Sequence, residues 1–186
     1  QSRLQQAQKG IGESLENFRF DMAAQSLYDF VWNEYCAWYL ELSKPVLWDE
    51  SSSEAQKRAA RRTLVHTLES ILRLAHPMMP YITEEIWQTV APLAGTLSPA
   101  SGVDTIMLAP YPIFDESQID DQSDIDIEWL KGVITGTRNI RAELGIGPGK
   151  PVKCLFKDTS EDDQRRLSAN NTFLKAMAKL EEITVL

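Results

Sequence analysis

The chain has 186 residues, of which 43% are hydrophobic and 25% are charged, and this composition predicts a globular protein with one sizeable core. No apolar run approaches the roughly 20 residues that a membrane span requires, which excludes a membrane-spanning helix. The first residues, QSRLQQAQKG, contain neither an initiator Met nor a signal-peptide pattern, so we expect a cytoplasmic protein that is part of a longer chain.

The net charge of −8 argues against a polyanionic partner, but charge is segregated along the sequence. No Lys or Arg lies between Arg73 and Lys131. Residues 131–157 then contain six basic residues and one acidic residue. Because binding responds to local potential rather than to total charge, this basic segment is a candidate surface for nucleic acid.

Apolar residues recur at helical spacing in five segments. These segments are residues 3–18, 21–44, 54–76, a short stretch that begins near Pro80, and 124–144. We expect Asp21 to be the N-cap of the second helix and Pro45 to end it, since proline cannot continue a helix without losing a backbone hydrogen bond. Residues 95–123 are rich in glycine and proline and predict a long connection, with a brief extended piece at TIMLA.

The pattern changes after GIGPGKP. The segment PVKCLFK alternates polar and apolar residues and predicts a strand with Val152, Cys154 and Phe156 on its buried face. Ser160 and Asn171 are expected to cap two helices, and ITVL predicts a second strand. Two strands alone make a weak sheet, so we expect the protein to continue beyond Leu186.

The predicted fold is therefore mainly α. A helical bundle is expected over residues 1–147, followed by a small, truncated α+β unit over residues 148–186.

The second predicted helix has six aromatic residues between Tyr28 and Tyr39. At about 100° per residue, one face forms an apolar stripe that predicts the core side. This stripe consists of Ala24, Leu27, Tyr28, Val31, Tyr35, Trp38, Tyr39 and Leu42. The opposite face carries Phe30, Asn33, Ala37, Leu40 and Lys44. That face either packs on another element or receives a ligand, because rings and amides can stack on and read unpaired RNA bases.

The fifth predicted helix has a polar residue within its apolar stripe. The stripe consists of Ile127, Leu130, Val133, Ile134, Thr137, Ile140 and Leu144. Arg141 lies among these residues, so its guanidinium must find a carboxylate or carbonyl, or else point toward a ligand. Arg138 and Asn139 lie outside the stripe and are free to contact phosphate or base.

The residues typical of catalysis or metal binding are not found at the required spacing. The segment GIGPGK lacks the spacing of a phosphate-binding loop, and the acidic residues 115–128 lack the pattern of a calcium loop. His66 and His76 are too far apart for a shared metal, and Cys36 and Cys154 are expected to be reduced, buried thiols. We therefore expect no catalytic site, no metal and no cofactor in this chain.

Four segments, in this order, are long enough to be specific: LENFRFDMAAQSLYDFVWNEYCAWYLELSKPVL, LRLAHPMMPYITEEIWQ, APYP and RNIRAELGIGPGKPV. Together they resemble the anticodon-binding region of the bacterial valyl-tRNA synthetases, which are class I aminoacyl-tRNA synthetases. The run WYLELSKP favours the valyl enzymes, since the isoleucyl enzymes more often carry KDR after the equivalent helix. Ala37 departs from the family pattern, in which this position is commonly Asp.

The resemblance implies a parent enzyme, a monomeric ligase of the cytoplasm that joins valine to its tRNA and uses ATP with magnesium as a substrate. Its catalytic and editing domains would precede Gln1, and a coiled-coil arm would follow the α+β unit. This region would bind the tRNA(Val) anticodon stem-loop. The candidate tRNA-binding residues are Phe30, Asn33, Leu40, Lys44, Arg138, Asn139, Arg141 and Lys150.

Two alternatives remain open. The same bundle could belong to an isoleucyl or leucyl enzyme, or the mixed helix face could bind another protein.

Overall fold

The computed structural model describes residues 1–97 and 102–186. Its contacts form two compact units, Gln1–Ile119 and Asp120–Leu186, which we describe separately. The fold is mainly α with a small two-stranded sheet, as predicted. The domain boundary that we predicted after residue 147 stays a prediction, while the contacts assign residues 120–147 to the second unit. No helix in the described ranges is long and apolar enough to cross a membrane.

The first unit is a bundle of helices. Its elements are α1 (Ser2–Glu16), α2 (Phe20–Asp29), a π-helical segment (Phe30–Tyr39), α3 (Leu40–Trp48), α4 (Glu54–Ala75), α5 (Pro80–Ala94), and two 3-10 turns (Ile106–Leu108 and Glu116–Gln118). The four predicted helices of this region are confirmed. The extended piece expected at TIMLA is wrong, because this stretch forms the first 3-10 turn. Residues 98–101 of the predicted connection lie outside the described residues.

Segments α2, π and α3 follow one another without a break, and both predicted ends of this long helix are wrong. The helix begins at Phe20, and Asp21 lies in its first turn, where it accepts two hydrogen bonds from Arg19 at 2.8 and 3.0 Å. These bonds lower the pKa of Asp21 to about 2. Pro45 lies inside α3. The Ser43 hydroxyl donates to the Leu40 carbonyl at 2.8 Å, which supplies a donor in the turn before the proline.

The interior of the first unit has two apolar clusters that share α4. The first cluster packs α1, α2 and the π-helical segment against α4; its buried members are Leu4, Ile11, Ala23, Leu27, Phe30, Tyr35, Ile71, Leu74 and Ala75. The second cluster packs α5 and the first 3-10 turn against α4; its buried members are Leu72, Trp87, Val90, Ala91 and Ile106. Helix α4 begins with a capping box between Ser53 and Gln56 and is the scaffold on which the other elements pack.

The second unit contains α6 (Asp121–Glu143), β1 (Val152–Phe156), α7 (Glu161–Ala169), α8 (Asn171–Ala178) and β2 (Leu180–Val185). The two strands pair in parallel. Ser160 caps α7 as predicted, through a capping box with Asp163. The prediction for Asn171 is wrong by one position, because it is the first residue of α8 and follows the N-cap residue Asn170.

Helix α6 is joined to α7 by polar contacts within this unit. Asp126 accepts hydrogen bonds from Arg165 and Arg166 at 2.8–2.9 Å, and these bonds hold the pKa of Asp126 well below its usual range. The indole of Trp129 donates to Asp163 at 2.8 Å. The two cysteines are unpaired and half-buried, and burial raises the pKa of the Cys154 thiol.

Candidate nucleic-acid interface

Phe30 does not lie on an open face of the aromatic helix. It is 8% exposed and packs in the first apolar cluster, which leaves its ring little free surface for a base, and its binding role stays a prediction. The buried positions Ala23, Leu27 and Phe30 follow ordinary α-helical spacing, so the predicted stripe was already centred on the wrong side of α2, before the winding changes. From Phe30 to Tyr39 the backbone is π-helical, with hydrogen bonds that span five residues, and each residue turns through a smaller angle than in an α-helix. A wheel drawn at about 100° per residue therefore loses register along this segment.

The other three candidates on this helix are more accessible. Asn33 is exposed, and its amide lies 3.5 Å from the Asp29 carboxylate, which is a weak contact. Leu40 is half-buried against the first cluster. Lys44 is half-buried, pairs with Glu41, and lies 5.9 Å from the centre of the Trp48 ring. Asn33 is therefore the most open of the four predicted side chains, and Ala37 is also exposed.

The face that we predicted to be buried is partly open. Ala24 and Tyr28 were assigned to the core stripe, but both are exposed, while Ala23 and Leu27 are buried. The buried stripe thus runs through Ala23, Leu27 and Phe30. Large rings count as apolar in a periodicity argument, and this biased the predicted stripe toward Tyr28.

Sequence reasoning missed an exposed pair of aromatic rings on this helix. Tyr28 and Trp32 are 59% and 61% exposed, and their rings stack with a centroid separation of 6.4 Å and an interplanar angle of 11°. They are four residues apart, and Asn33 directly follows Trp32. The available signal was this spacing, since residues at i and i+4 share one helix face. Two nearly parallel exposed rings beside an exposed amide form a surface on which a planar base can stack.

Arg141, on α6, is structural. It is 6% exposed, and its guanidinium donates to backbone carbonyl oxygens of Gly147 at 2.8 Å, Lys150 at 2.6 Å, Lys179 at 3.3 Å and Pro148 at 3.4 Å. The prediction that it needs carbonyl partners is confirmed, and its role as a tRNA-binding residue stays a prediction, which this enclosure disfavours. Instead, Arg141 holds the loop after α6 and the start of β2 in place.

The remaining candidates of the basic segment are exposed. Arg138, Asn139 and Lys150 all face solvent. Arg138 donates through Nε and one terminal nitrogen to the carbonyl of Met177, at 3.1 and 2.8 Å, which orients its guanidinium. Arg138 and Arg141 line a cleft of about 550 Å³ together with Ile146 and Met177. This cleft combines cationic side chains with apolar walls.

The apolar stripe predicted for α6 is only partly buried. Leu130 and Ile134 are fully buried, but Ile127, Ile140 and Leu144 are 37%, 58% and 68% exposed. The buried side of α6 also includes Lys131 and Arg141. Long basic side chains can cover apolar surface with their carbon chains. Lys131 and Arg141 therefore lie on the buried side of α6, where the periodicity had favoured apolar residues.

Residues 1–156 match the model of a family described as the anticodon-binding domain of tRNA ligase. The matched range spans the whole first unit and continues through α6 and β1 of the second. It includes the ring pair, Asn33, and the three exposed residues of the basic segment.

Proposed function

Because the chain belongs to the family of anticodon-binding domains of tRNA ligases, we propose that it binds the anticodon stem-loop of tRNA(Val) as part of a valine-tRNA ligase. The parent enzyme would attach valine to its tRNA and would use ATP with magnesium in domains outside this chain. The observation that carries the proposal is the exposed, stacked pair of Tyr28 and Trp32 beside Asn33.

The ring pair suits an anticodon loop because unpaired bases present flat faces and free hydrogen-bonding edges. Asn33 follows Trp32 in sequence and is exposed, so its amide is available to the edge of an unpaired base that binds this surface. Asp29 accepts from Gln25 at 3.0 Å, and its carboxylate can also accept from the amino group of cytosine. Valine anticodons share A in the middle and C at the end, so an amide and a carboxylate beside the rings match the groups to be read.

The basic segment suits the phosphate backbone. Two of the three Arg138 side-chain nitrogens donate to the Met177 carbonyl, and these bonds fix the orientation of the guanidinium. The remaining NH₂ group is free to donate to a phosphate. Lys150 and Asn139 are exposed and can contribute a charge and an amide. Contacts of this kind hold an RNA in position without reading its sequence.

The assignment to valine rests on the segments quoted above, WYLELSKP in particular. An isoleucyl or leucyl ligase remains the alternative within the family. Binding of the purified chain to stem-loop transcripts with valine, isoleucine and leucine anticodons tests this point. We expect the valine transcript to bind most tightly, and preference for either of the others would refute the assignment.

A protein-binding role for the aromatic face predicts a different response to salt. Contacts between cations and phosphate release counterions, so the affinity for RNA should fall steeply between about 50 and 200 mM salt. An apolar docking surface would respond weakly. A gel-shift titration at these two salt concentrations separates the two functions.

A further inference from the structure

A cleft lined mainly by polar residues, which we call the polar cleft, lies in the first unit between α1, α4 and residues 111–118. Its volume is about 540 Å³. None of its lining residues belongs to α2, the π-helical segment or α3, and none belongs to the basic segment. A function of this cleft therefore goes beyond the proposed recognition of the anticodon.

The charges along the cleft have one sign. Arg62, His66 and Arg73 line it from α4, and no Asp or Glu is among the described residues that do so. Arg62 and His66 are one helical turn apart, so their side chains lie on the same face of α4. Neither makes a hydrogen bond or an ion pair with any residue in the described ranges. In a chain with a net charge of −8, an acid-free cleft with two unused basic side chains favours an anionic ligand.

Two residues that line the cleft each carry a buried polar atom with no hydrogen-bond partner among the described residues. The side chain of Gln8 is part of a residue only 6% exposed, and its Oε1 accepts no hydrogen bond. Arg73 donates through its two terminal nitrogens to Pro110 and Glu69, each at 2.6 Å, but its buried Nε has no acceptor. Buried polar groups are nearly always paired with protein, water or ligand, so an unpaired acceptor and an unpaired donor on two residues of one cleft are available to a bound ligand.

The neighbouring Gln5 shows that the glutamines of α1 can be satisfied within the protein. Its Nε2 donates to Gln118 at 3.3 Å, and its Oε1 accepts from the backbone N–H of Asp115 at 2.8 Å. Gln8 lies one turn further along the same face of α1, without such partners.

We propose that this cleft binds a ribose phosphate. Arg62 and His66 bind the phosphate, whose oxygens accept from both side chains, and Arg73 Nε adds a third donor. The orphaned Oε1 of Gln8 accepts from a ribose hydroxyl, the donor that lies next to a phosphate in RNA and in ribonucleotides. The ligand is either a backbone unit of a bound RNA or a free ribonucleotide, since both carry the same two groups.

The first test uses mononucleotides and does not depend on the anticodon. Amide chemical shifts of the whole chain are followed by NMR during titration with uridine 3′-monophosphate, 2′-deoxyuridine 3′-monophosphate and inorganic phosphate. We expect shifts around α1 and α4, and binding of the ribonucleotide about fivefold tighter than the deoxy form, as one lost hydrogen bond implies. Equal affinity for the two nucleotides, or shifts elsewhere in the chain, would overturn the proposal.

Neighbouring arginines on α4 provide a matched pair of variants. Arg62→Gln should weaken ribonucleotide binding about tenfold, because it removes a charged donor from the cleft. Arg61→Gln makes the same change on an exposed side chain that does not line the cleft and should leave binding unchanged. Equal losses in both variants would mean a diffuse charge effect and refute the site.

Gln8→Met tests the contact with the ribose hydroxyl. This variant, checked for folding by circular dichroism, should bind the ribonucleotide and the deoxynucleotide with equal affinity. If the variant unfolds, the difference in affinity between the two nucleotides for the parent chain decides whether the ribose hydroxyl is bound.

Competition identifies the source of the ligand. If an anticodon stem-loop RNA displaces the mononucleotide, the cleft binds the RNA backbone. If the RNA binds without displacing it, the cleft is a nucleotide site. Failure of anticodon preference would refute the proposed function and leave the mononucleotide result intact.

Discussion

The indole N–H of Trp87 donates to the Glu69 carboxylate at 2.9 Å in the interior of the first unit. Trp87 is fully buried and Glu69 is 1% exposed, and the second carboxylate oxygen accepts from Arg73 at 2.6 Å. The carboxylate thus joins α4 to α5 and neutralises an arginine that also lines the polar cleft. A buried charge of this kind is stable only while all its partners are present.

Glu69→Ala should destabilise the protein by about 3–5 kcal/mol, because it leaves Trp87 without an acceptor and Arg73 without its counter-charge. Urea unfolding measures this loss. Glu85→Ala, at an exposed residue of α5, is the control. Its free energy of unfolding should differ from that of the parent chain by less than about 0.5 kcal/mol. A loss for Glu69→Ala as small as that of the control would contradict the bridging role.

Stability should fall in alkaline solution because of Tyr35. Burial raises the pKa of Tyr35 from 10.0 to about 12, while the unfolded chain keeps the ordinary value. Between pH 10 and about 12, the folded state therefore keeps the Tyr35 proton while the unfolded state loses it. The stability that this protonated side chain contributes is fully present below pH 10 and is lost as the pH rises through about 12. The unfolding free energies of the parent chain and of Tyr35→Phe should converge over this range. Parallel curves would contradict the assignment.

Arg141→Lys should destabilise the second unit by about 2–3 kcal/mol. Lysine keeps the charge but cannot reproduce the planar fork that donates to several carbonyls at once. Thermal unfolding followed at Trp129, which lies in this unit, measures the loss. Lys157→Gln, on an exposed residue, should have little effect. If Arg141→Lys leaves stability unchanged and weakens RNA binding, Arg141 is a ligand residue after all.

Trp32→Ala should weaken stem-loop binding about 5- to 160-fold, since stacking on an aromatic ring contributes about 1–3 kcal/mol per base. Stability should change little, because the ring is mostly exposed. Tyr81→Ala, at a ring that is 90% exposed on α5, is the matched control and should bind like the parent chain. The reverse order of effects would remove the ring pair from the interface.

Phe30→Ala should behave in the opposite way. We expect a loss of about 3–5 kcal/mol in unfolding free energy, because the ring fills part of the first apolar cluster. RNA binding, measured where the variant is still folded, should be retained. Loss of binding without loss of stability would restore the role that the sequence had assigned to this residue.

Arg138→Ala and Lys150→Ala should weaken binding equally for all tRNAs, and each should reduce the salt slope by about 1. Asn33→Ala should instead reduce the preference for the valine anticodon. Gel-shift titrations with the three transcripts measure both effects. Equal losses of affinity and specificity in all three variants would refute this division of roles.

Elements with local signals could be predicted from the sequence. Helix α4 has a polar cap and an apolar stripe, and its limits differ from the prediction by one residue. The strand at Val152–Phe156 and the Ser160 cap were equally readable, because alternation and capping act over a few residues. Arg141 was recognised as anomalous from its position in an apolar stripe, and the structure supplied its partners.

The aromatic helix could not be predicted to the same accuracy. Nothing in the run FVWNEYCAWY distinguishes π from α winding, since both bury rings and both use backbone hydrogen bonds. Beyond Phe30, the assignment of faces depended on a rotation per residue that the helix does not keep. Within α2 the error had another source, because the rings drew the predicted stripe toward Tyr28, whereas the buried positions are Ala23, Leu27 and Phe30.

The pairing of β1 with β2 has a consequence for handling the isolated chain. Each strand has a single neighbour among the described residues, so its other edge displays backbone amides and carbonyls that another strand could join. Lys153 and Glu182 place charges on the sheet and oppose such joining, while Leu155 is 64% exposed and favours it. High ionic strength would screen those charges. Concentrated samples should therefore be kept at low salt, where edge-to-edge aggregation is slowest.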